Sequence, residues 1–155
     1  MSIEENKALA RSWFDFPGPE DWLQGKPGGN KQEAPLNERL KSAMSEIFSP
    51  DWVAHAAQGD IGFDGYVGMT AGLIGAFPDL SFSIKDIIAE EDKVAVSYVM
   101  RGTNQGSYQG MPATGKKVEV SGVSIGRISD GKFVEGWAQT DSLGMMQQLG
   151  LVPPK

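Results

Sequence analysis

The sequence predicts an α+β domain in which helices come first and a strongly curved antiparallel sheet follows. Three observations lead there. Apolar residues recur at helical spacing up to Pro78, and alternating segments then take over. Ser129-Asp130-Gly131 separates two of these segments, and Asp-Gly accepts the positive φ of a tight hairpin turn. Finally, 155 residues with 40 % apolar and 22 % charged side chains suffice for one packed domain.

Taken in order, residues 2–14 (SIEENKALARSWF) read as a helix, with Ser2 as cap and Glu5 completing a capping box; Ile3, Leu9, Ala10, Trp13 and Phe14 form its apolar side. Residues 16–35 (FPGPEDWLQGKPGGNKQEAP) are too rich in Pro and Gly for one regular element, and Phe14, Phe16 and Trp22 suggest that this segment packs onto something. A second helix is expected over ERLKSAMSEIF, capped by Asn37, with Leu40, Ala43, Met44, Ile47 and Phe48 on one face. DWVAHAAQGDIG is a short extended segment with a polar turn. A third helix is expected over 64–77, with Asp64 as cap and Pro78 as terminator. Its glycines at 65, 68, 72 and 75 cost about 1 kcal/mol each inside a helix, and close packing against the sheet would explain them. LSFSIKDIIAE and KVAVSYVMRGT form one hairpin, and KKVEVSGVSIGRI and KFVEGWAQT form another; NQGSYQGMPATG loops between them. SLGMMQQLG is a short terminal helix.

Composition narrows the function. A formal charge of −6 without a basic run disfavours nucleic acid. No apolar run reaches the length of a membrane span, and no charged-then-apolar leader opens the chain, so a cytoplasmic address is expected. Cysteine is absent and His55 is the single histidine, which excludes thiolate nucleophiles, disulfides and multi-histidine metal sites. The expected partner is a small molecule or another protein.

AFPDLSFSIKDIIAEEDKVAVSY, GTNQGSYQGMPATGKKVEVSGVSIGRISDGKFVEGWAQTD and GMMQQLG resemble, in order and spacing, the SnoaL-like polyketide cyclases of the NTF2-like superfamily. The resemblance covers residues 37–151; segment 16–35 stands outside it as an atypical insertion. It implies a cone-shaped barrel with a pocket between the concave sheet and the helices, a homodimer, and ring closure by intramolecular aldol condensation without metal or cofactor. It also implies that Asp141, at the end of W-x-x-x-D, is the general acid/base. Asn104 stands in GTNQG where relatives carry a histidine.

Strand alternation supplies candidates for the pocket. Trp137, Gln139 and Asp141 share one face of the last strand; Val94, Val96, Tyr98, Met100 and Asn104 share one face of an earlier one. With both sets turned inward, a carboxylate and polar helpers would sit in an apolar wall, the usual composition of a small-molecule site. Asp141 would move protons, Asn104 would donate to an enolate oxygen, and His55 would assist. Trp52, Tyr98, Met100, Trp137 and Gln139 would contact a hydrophobic carbonyl substrate. Each has a plainer role available: Asp141 also fits a helix N-cap, His55 a satisfied structural histidine, Trp137 and Tyr98 plain walls. Arg101, Arg127 and Glu119 are expected on the outer surface of the sheet. A non-catalytic binder, or a hydroxylase or hydrolase on the same scaffold, are the rival functions.

Overall fold

The structure, a computed structural model, describes residues 2–14 and 36–153. The 16–35 insertion and the docking expected of it therefore lie outside the described residues. The elements are α1 (Ile3–Phe14), α2 (Leu36–Met44), β1 (Phe48–Ala56), β2 (Gly59–Gly62), α3 (Phe63–Ala76), β3 (Ser81–Glu90), β4 (Lys93–Thr103), β5 (Lys117–Ser129), β6 (Lys132–Thr140) and α4 (Ser142–Gln148).

Among the described residues, six strands form one sheet in the order β2-β1-β6-β5-β4-β3. The two predicted hairpins are present, and Asp130 (φ 51°) and Gly131 (φ 76°) make the β5–β6 turn. The sheet is larger than the four antiparallel strands expected. The DWVAHA segment belongs to a full strand, β1, which pairs parallel with β6, and β2 folds back antiparallel on β1. The sheet is therefore mixed.

Local chemistry accounts for the helix ends. Ser2 accepts from the Glu5 amide at 3.1 Å and its hydroxyl donates to the Glu5 carboxylate at 3.2 Å, the expected capping box. Two other caps are corrected. Asn37 lies inside α2 rather than before it. Gly62, not Asp64, caps α3, without a side-chain bond. Asp64 sits in the first turn, where negative charge suits the helix dipole, and pairs with Lys41 at 3.0 Å. The second helix also ends early, at Met44, and Phe48 enters the core from β1 instead. Close packing fails to explain Gly68, Gly72 and Gly75, since a Cβ at any of them would meet open space.

One face of the sheet carries the core. Val94, Val96, Tyr98 and Met100 of β4 point inward with Val118, Val120 and Ile128 of β5, meeting Leu40 and Met44 of α2, Val67 and Ile74 of α3 and Met145 of α4. At the centre the inward positions are glycines roofed by aromatic rings from neighbouring strands. A Cβ at Gly122 would stand 2.5 Å from the Tyr98 ring, and one at Gly126 2.5 Å from Phe133; one at Gly136 would run into Trp52. Trp52 cannot yield, because Phe48 (4.7 Å between ring centroids), Tyr66 (5.3 Å) and Phe133 (6.4 Å) surround it. Gly136→Ala is expected to destabilise the fold by about 2 kcal/mol through overpacking, read as a lower urea midpoint at unchanged slope.

Candidate functional site

The inward face of β4 ends in an aromatic cluster. The Phe14 ring, from the last turn of α1, lies 5.1 Å from Tyr98 and 5.7 Å from Phe82, and Phe82 lies 5.6 Å from Tyr98. The Tyr98 hydroxyl is 2.9 Å from Thr140 Oγ1; Tyr98 is buried and Thr140 exposed. Phe14 and Phe82 remain partly exposed. Deeper inside, burial pushes the Tyr66 phenol well above its ordinary pKa, the neighbouring Tyr98 adds to this, and a hydrogen bond with Trp13 partly opposes it. Tyr66 thus stays a neutral phenol. Trp52 is 5 % exposed, and its indole N–H has no hydrogen-bond partner among the described residues. Leaving such a donor unmet costs about 1–3 kcal/mol.

Asp141 directly follows Thr140. Its backbone N–H donates to Ser121 O at 3.0 Å, extending the β5–β6 ladder by one bond. Its side chain is exposed and accepts the Gly144 amide on Oδ1 at 2.9 Å, so it caps α4. Gly144 is required by this close approach, since a Cβ there would collide with Asp141 Oδ2.

Trp137 and Gln139 were expected in the pocket, and the structure corrects this. They pair with Ile125 and Val123 on the outward face of the sheet, and Trp137 is 38 % exposed. The inward partners on β6 are Gly136, Ala138 and Thr140, in register with Gly126, Ser124 and Gly122. His55 is outward too, and its ring stacks on Trp137 at 5.1 Å. His55 Nδ1 lies 2.7 Å from Asp60 Oδ1 and Nε2 lies 2.7 Å from Glu135 Oε2; Arg127 Nε donates to Glu135 Oε1 at 2.9 Å. Both ring nitrogens being engaged, His55 has none free to serve as a base. The two carboxylates, Glu135 first, raise its pKa, and Arg127 followed by His55 lowers that of Glu135. Arg101 pairs with Glu119 at 3.0 Å on the same outward face, as expected.

Asn104 does face inward and is 1 % exposed, but it has nothing left to offer a substrate. Its Nδ2 donates to Gly106 O at 2.8 Å and Ala76 O at 3.4 Å, while Oδ1 accepts from the Thr114 amide at 2.9 Å and the Thr114 hydroxyl at 3.0 Å. GTNQG and PATG are thus two halves of one clasp. The aspartate of AFPDL is also structural: Asp79 receives the Thr103 amide at 2.6 Å and the Thr103 hydroxyl at 2.7 Å. Burial pushes its pKa up, but these bonds outweigh that and hold it below the usual carboxylate value. Met100 and Tyr98 are buried on the inward face as predicted. Sequence reasoning missed Thr140, Phe14 and Phe82 as partners of Tyr98, and Asp60 and Glu135 as partners of His55; cross-strand register reveals the strand residues, and the docking of α1 reveals Phe14.

A separate open groove of about 690 Å³ is lined by Lys41, Ser45, Pro50, Gly62, Phe63, Asp64, Gly65 and Lys132. It contains none of the predicted residues, and its lysines are engaged by Asp64 and the Ser45 carbonyl. No cluster of three or more potential ligand side chains suited to a metal ion occurs among the described residues. No helix among them is long and apolar enough to cross a membrane.

The profile of the family described as SnoaL-like polyketide cyclase matches residues 31–149. The chain belongs to that family. Among solved structures, AclR from Streptomyces galilaeus, a candidate hydroxylase, superposes with a TM-score of 0.76 at 28 % identity, covering 99 % of this chain and 86 % of its own. IdmH from Streptomyces antibioticus, a candidate polyketide cyclase, gives 0.61 at 29 % identity over 85 % and 98 % of the two chains. A candidate SnoaL-like cyclase from Jannaschia sp. CCS1 shares the fold, with a TM-score of 0.75 at 21 % identity over 99 % and 97 %. These neighbours make the architecture NTF2-like. Comparison with curated proteins gives no match.

Asn104→Ala is expected to remove about 3 kcal/mol of stability by leaving buried backbone groups unpaired, measured by chemical denaturation.

Proposed function

We propose that the chain binds a hydrophobic, polyketide-like carbonyl compound against the aromatic cluster of Phe14, Phe82 and Tyr98 and closes a ring there by an aldol step, with Asp141 as acid/base. The observation that carries this is the Tyr98–Thr140 oxygen pair, set among Phe14 and Phe82 and followed immediately by a carboxylate. The ionised Asp141 removes a proton from the carbon between two carbonyls. The enolate carbon then attacks a ketone carbon further along the substrate, and the alkoxide takes the proton back from the carboxylic acid. The proton count closes, so no cofactor is needed. Tyr98 is suited to hydrogen-bond a substrate oxygen, Trp52 offers an unused N–H, and Met100 is apolar wall. Capping uses Oδ1 of Asp141; Oδ2 has no hydrogen bond among the described residues. The functional unit is proposed to be a pair of identical chains.

A second reading, a holder of such ligands without catalysis, is favoured by the exposure of Asp141 and its bond to the helix amide.

Asp141→Asn separates the two, because asparagine caps a helix as well as aspartate does. With a linear poly-β-keto ester as substrate, the variant should lose about 100-fold or more in turnover while melting at the wild-type temperature. Unchanged turnover would overturn the catalytic assignment. Wild-type binding of the ester without cyclisation would establish the holder.

A further inference from the structure

On the inward face of β5 and β6, two rows are roofed by aromatic rings and the row between them is not. Tyr98 lies over the row of Gly122 and Thr140, and Phe133 and Trp52 lie over the row of Gly126 and Gly136. Between them stand the cross-strand partners Ser124 and Ala138, with Val96 of β4 opposite Ser124. Val96 is 2 % exposed, but Ser124 is only half-buried, and Ala138 and Thr140 are exposed although they point inward. The middle row is thus accessible at its β6 end, with a ring on either side.

Burial decides which hydroxyl protons are free there. Tyr98 and Thr140 bring two protons to one contact of 2.9 Å, and only one can lie between the oxygens. With Thr140 as donor, the proton of the buried phenol would find no acceptor among the described residues, which is costly. The phenol therefore donates. Thr140 keeps its own proton at an exposed position, and the bond it accepts makes it a better donor. Ser124 carries a second hydroxyl on the same face, and that hydroxyl bonds to none of the described residues. The two positions are diagonal neighbours on adjacent antiparallel strands. Their spacing is about 7 Å. A strand gains nothing from an unpartnered serine at such a position, since valine would suit it better.

Resting on the carbonyl binding proposed above, we infer that the ligand lies across Ala138 and is held at two oxygens, one by Thr140 and another, further along its chain, by Ser124. Ser124 is then the specificity residue: it selects a chain with carbonyl groups at intervals over a compound with a lone carbonyl. A ligand without the second oxygen would cover the Ser124 hydroxyl and leave it unpaired, and this is the kind of mismatch by which a polar site discriminates strongly. Both donors are neutral, so they suit ketone oxygens and offer no counter-charge to a carboxylate or phosphate. The carbon chain between the two oxygens meets the methyl group of Ala138.

Titration calorimetry of the full chain tests this, with a linear β-polyketone and the monoketone of equal chain length as probes. Asp141→Asn serves as the background beside the wild type, so that neither probe is consumed, and circular dichroism verifies folding. The polyketone should bind about 10-fold more tightly than the monoketone. Adding Ser124→Ala should abolish this preference by weakening the polyketone alone. Thr140→Val should weaken both probes, and Thr140→Ser should restore them. Failure of wild type and background alike to bind either probe overturns the proposed function and this inference with it. Binding of both probes with the preference intact in Ser124→Ala overturns this inference alone, as does an equal loss for both probes in that variant.

Discussion

The packing of aromatic rings on glycines at the centre of the sheet is the constraint from which the other features follow. Trp52 of β1 lies over Gly136 of β6, Phe133 of β6 over Gly126 of β5, and Tyr98 of β4 over Gly122 of β5. Gly126 and Gly136 are themselves partners in register. Removing side chains from the concave side lets the sheet bend inward, and a ring from the adjacent strand restores the buried area that the glycine lacks. Trp52 reaches Gly136 because β1 lies beside β6, so the same contact brings the parallel strand into the sheet. Tyr98 lies flat over Gly122, and its hydroxyl thereby arrives at Thr140, the residue paired with Gly122.

The two faces then differ in kind. Among the described residues, the strands present hydroxyls, an indole N–H and the saturated Asn104 on the concave side and no ion pair, a set of polar groups suited to orienting a neutral ligand. Ionisable groups collect on the convex side, where His55, Asp60, Glu135 and Arg127 join three neighbouring strands. The proposed proton transfer would therefore have to draw on a residue at the edge of this face, and Asp141 directly follows the end of β6.

Much of the fold was legible because its signals are local. Alternation gave β3 to β6, Asp130-Gly131 gave a turn, and Ser2 with Glu5 gave the first helix start. The assignment of faces on β6 was not legible. A tryptophan beside a glycine argues for the tryptophan inside, yet Gly136 is inward because Trp52, far away in sequence, fills its space. A register shift adds to this: Phe133 and Glu135, two apart, lie on opposite faces, with the irregularity at Arg127/Ile128. Asn104 was placed on the correct face, but its partners Gly106 and Thr114 come from loops, and alternation is silent about loops.

Asp141 joins these strands of reasoning. Capping by itself does not select aspartate, since asparagine, serine or threonine would satisfy the Gly144 amide equally well. What capping does is fix the carboxyl group: Oδ1 is tied to the helix, the backbone is tied to Ser121, and Gly144 has no side chain to push the group away. A carboxylate so fixed, with its second oxygen unbonded among the described residues and the Tyr98–Thr140 pair one residue behind it, has lost the rotational freedom that otherwise opposes a reactive geometry. The helix start is thus the device that would hold an acid beside the Tyr98–Thr140 pair. Capping and the proposed chemistry make compatible demands on this residue, and only the proposed chemistry requires that it be ionisable.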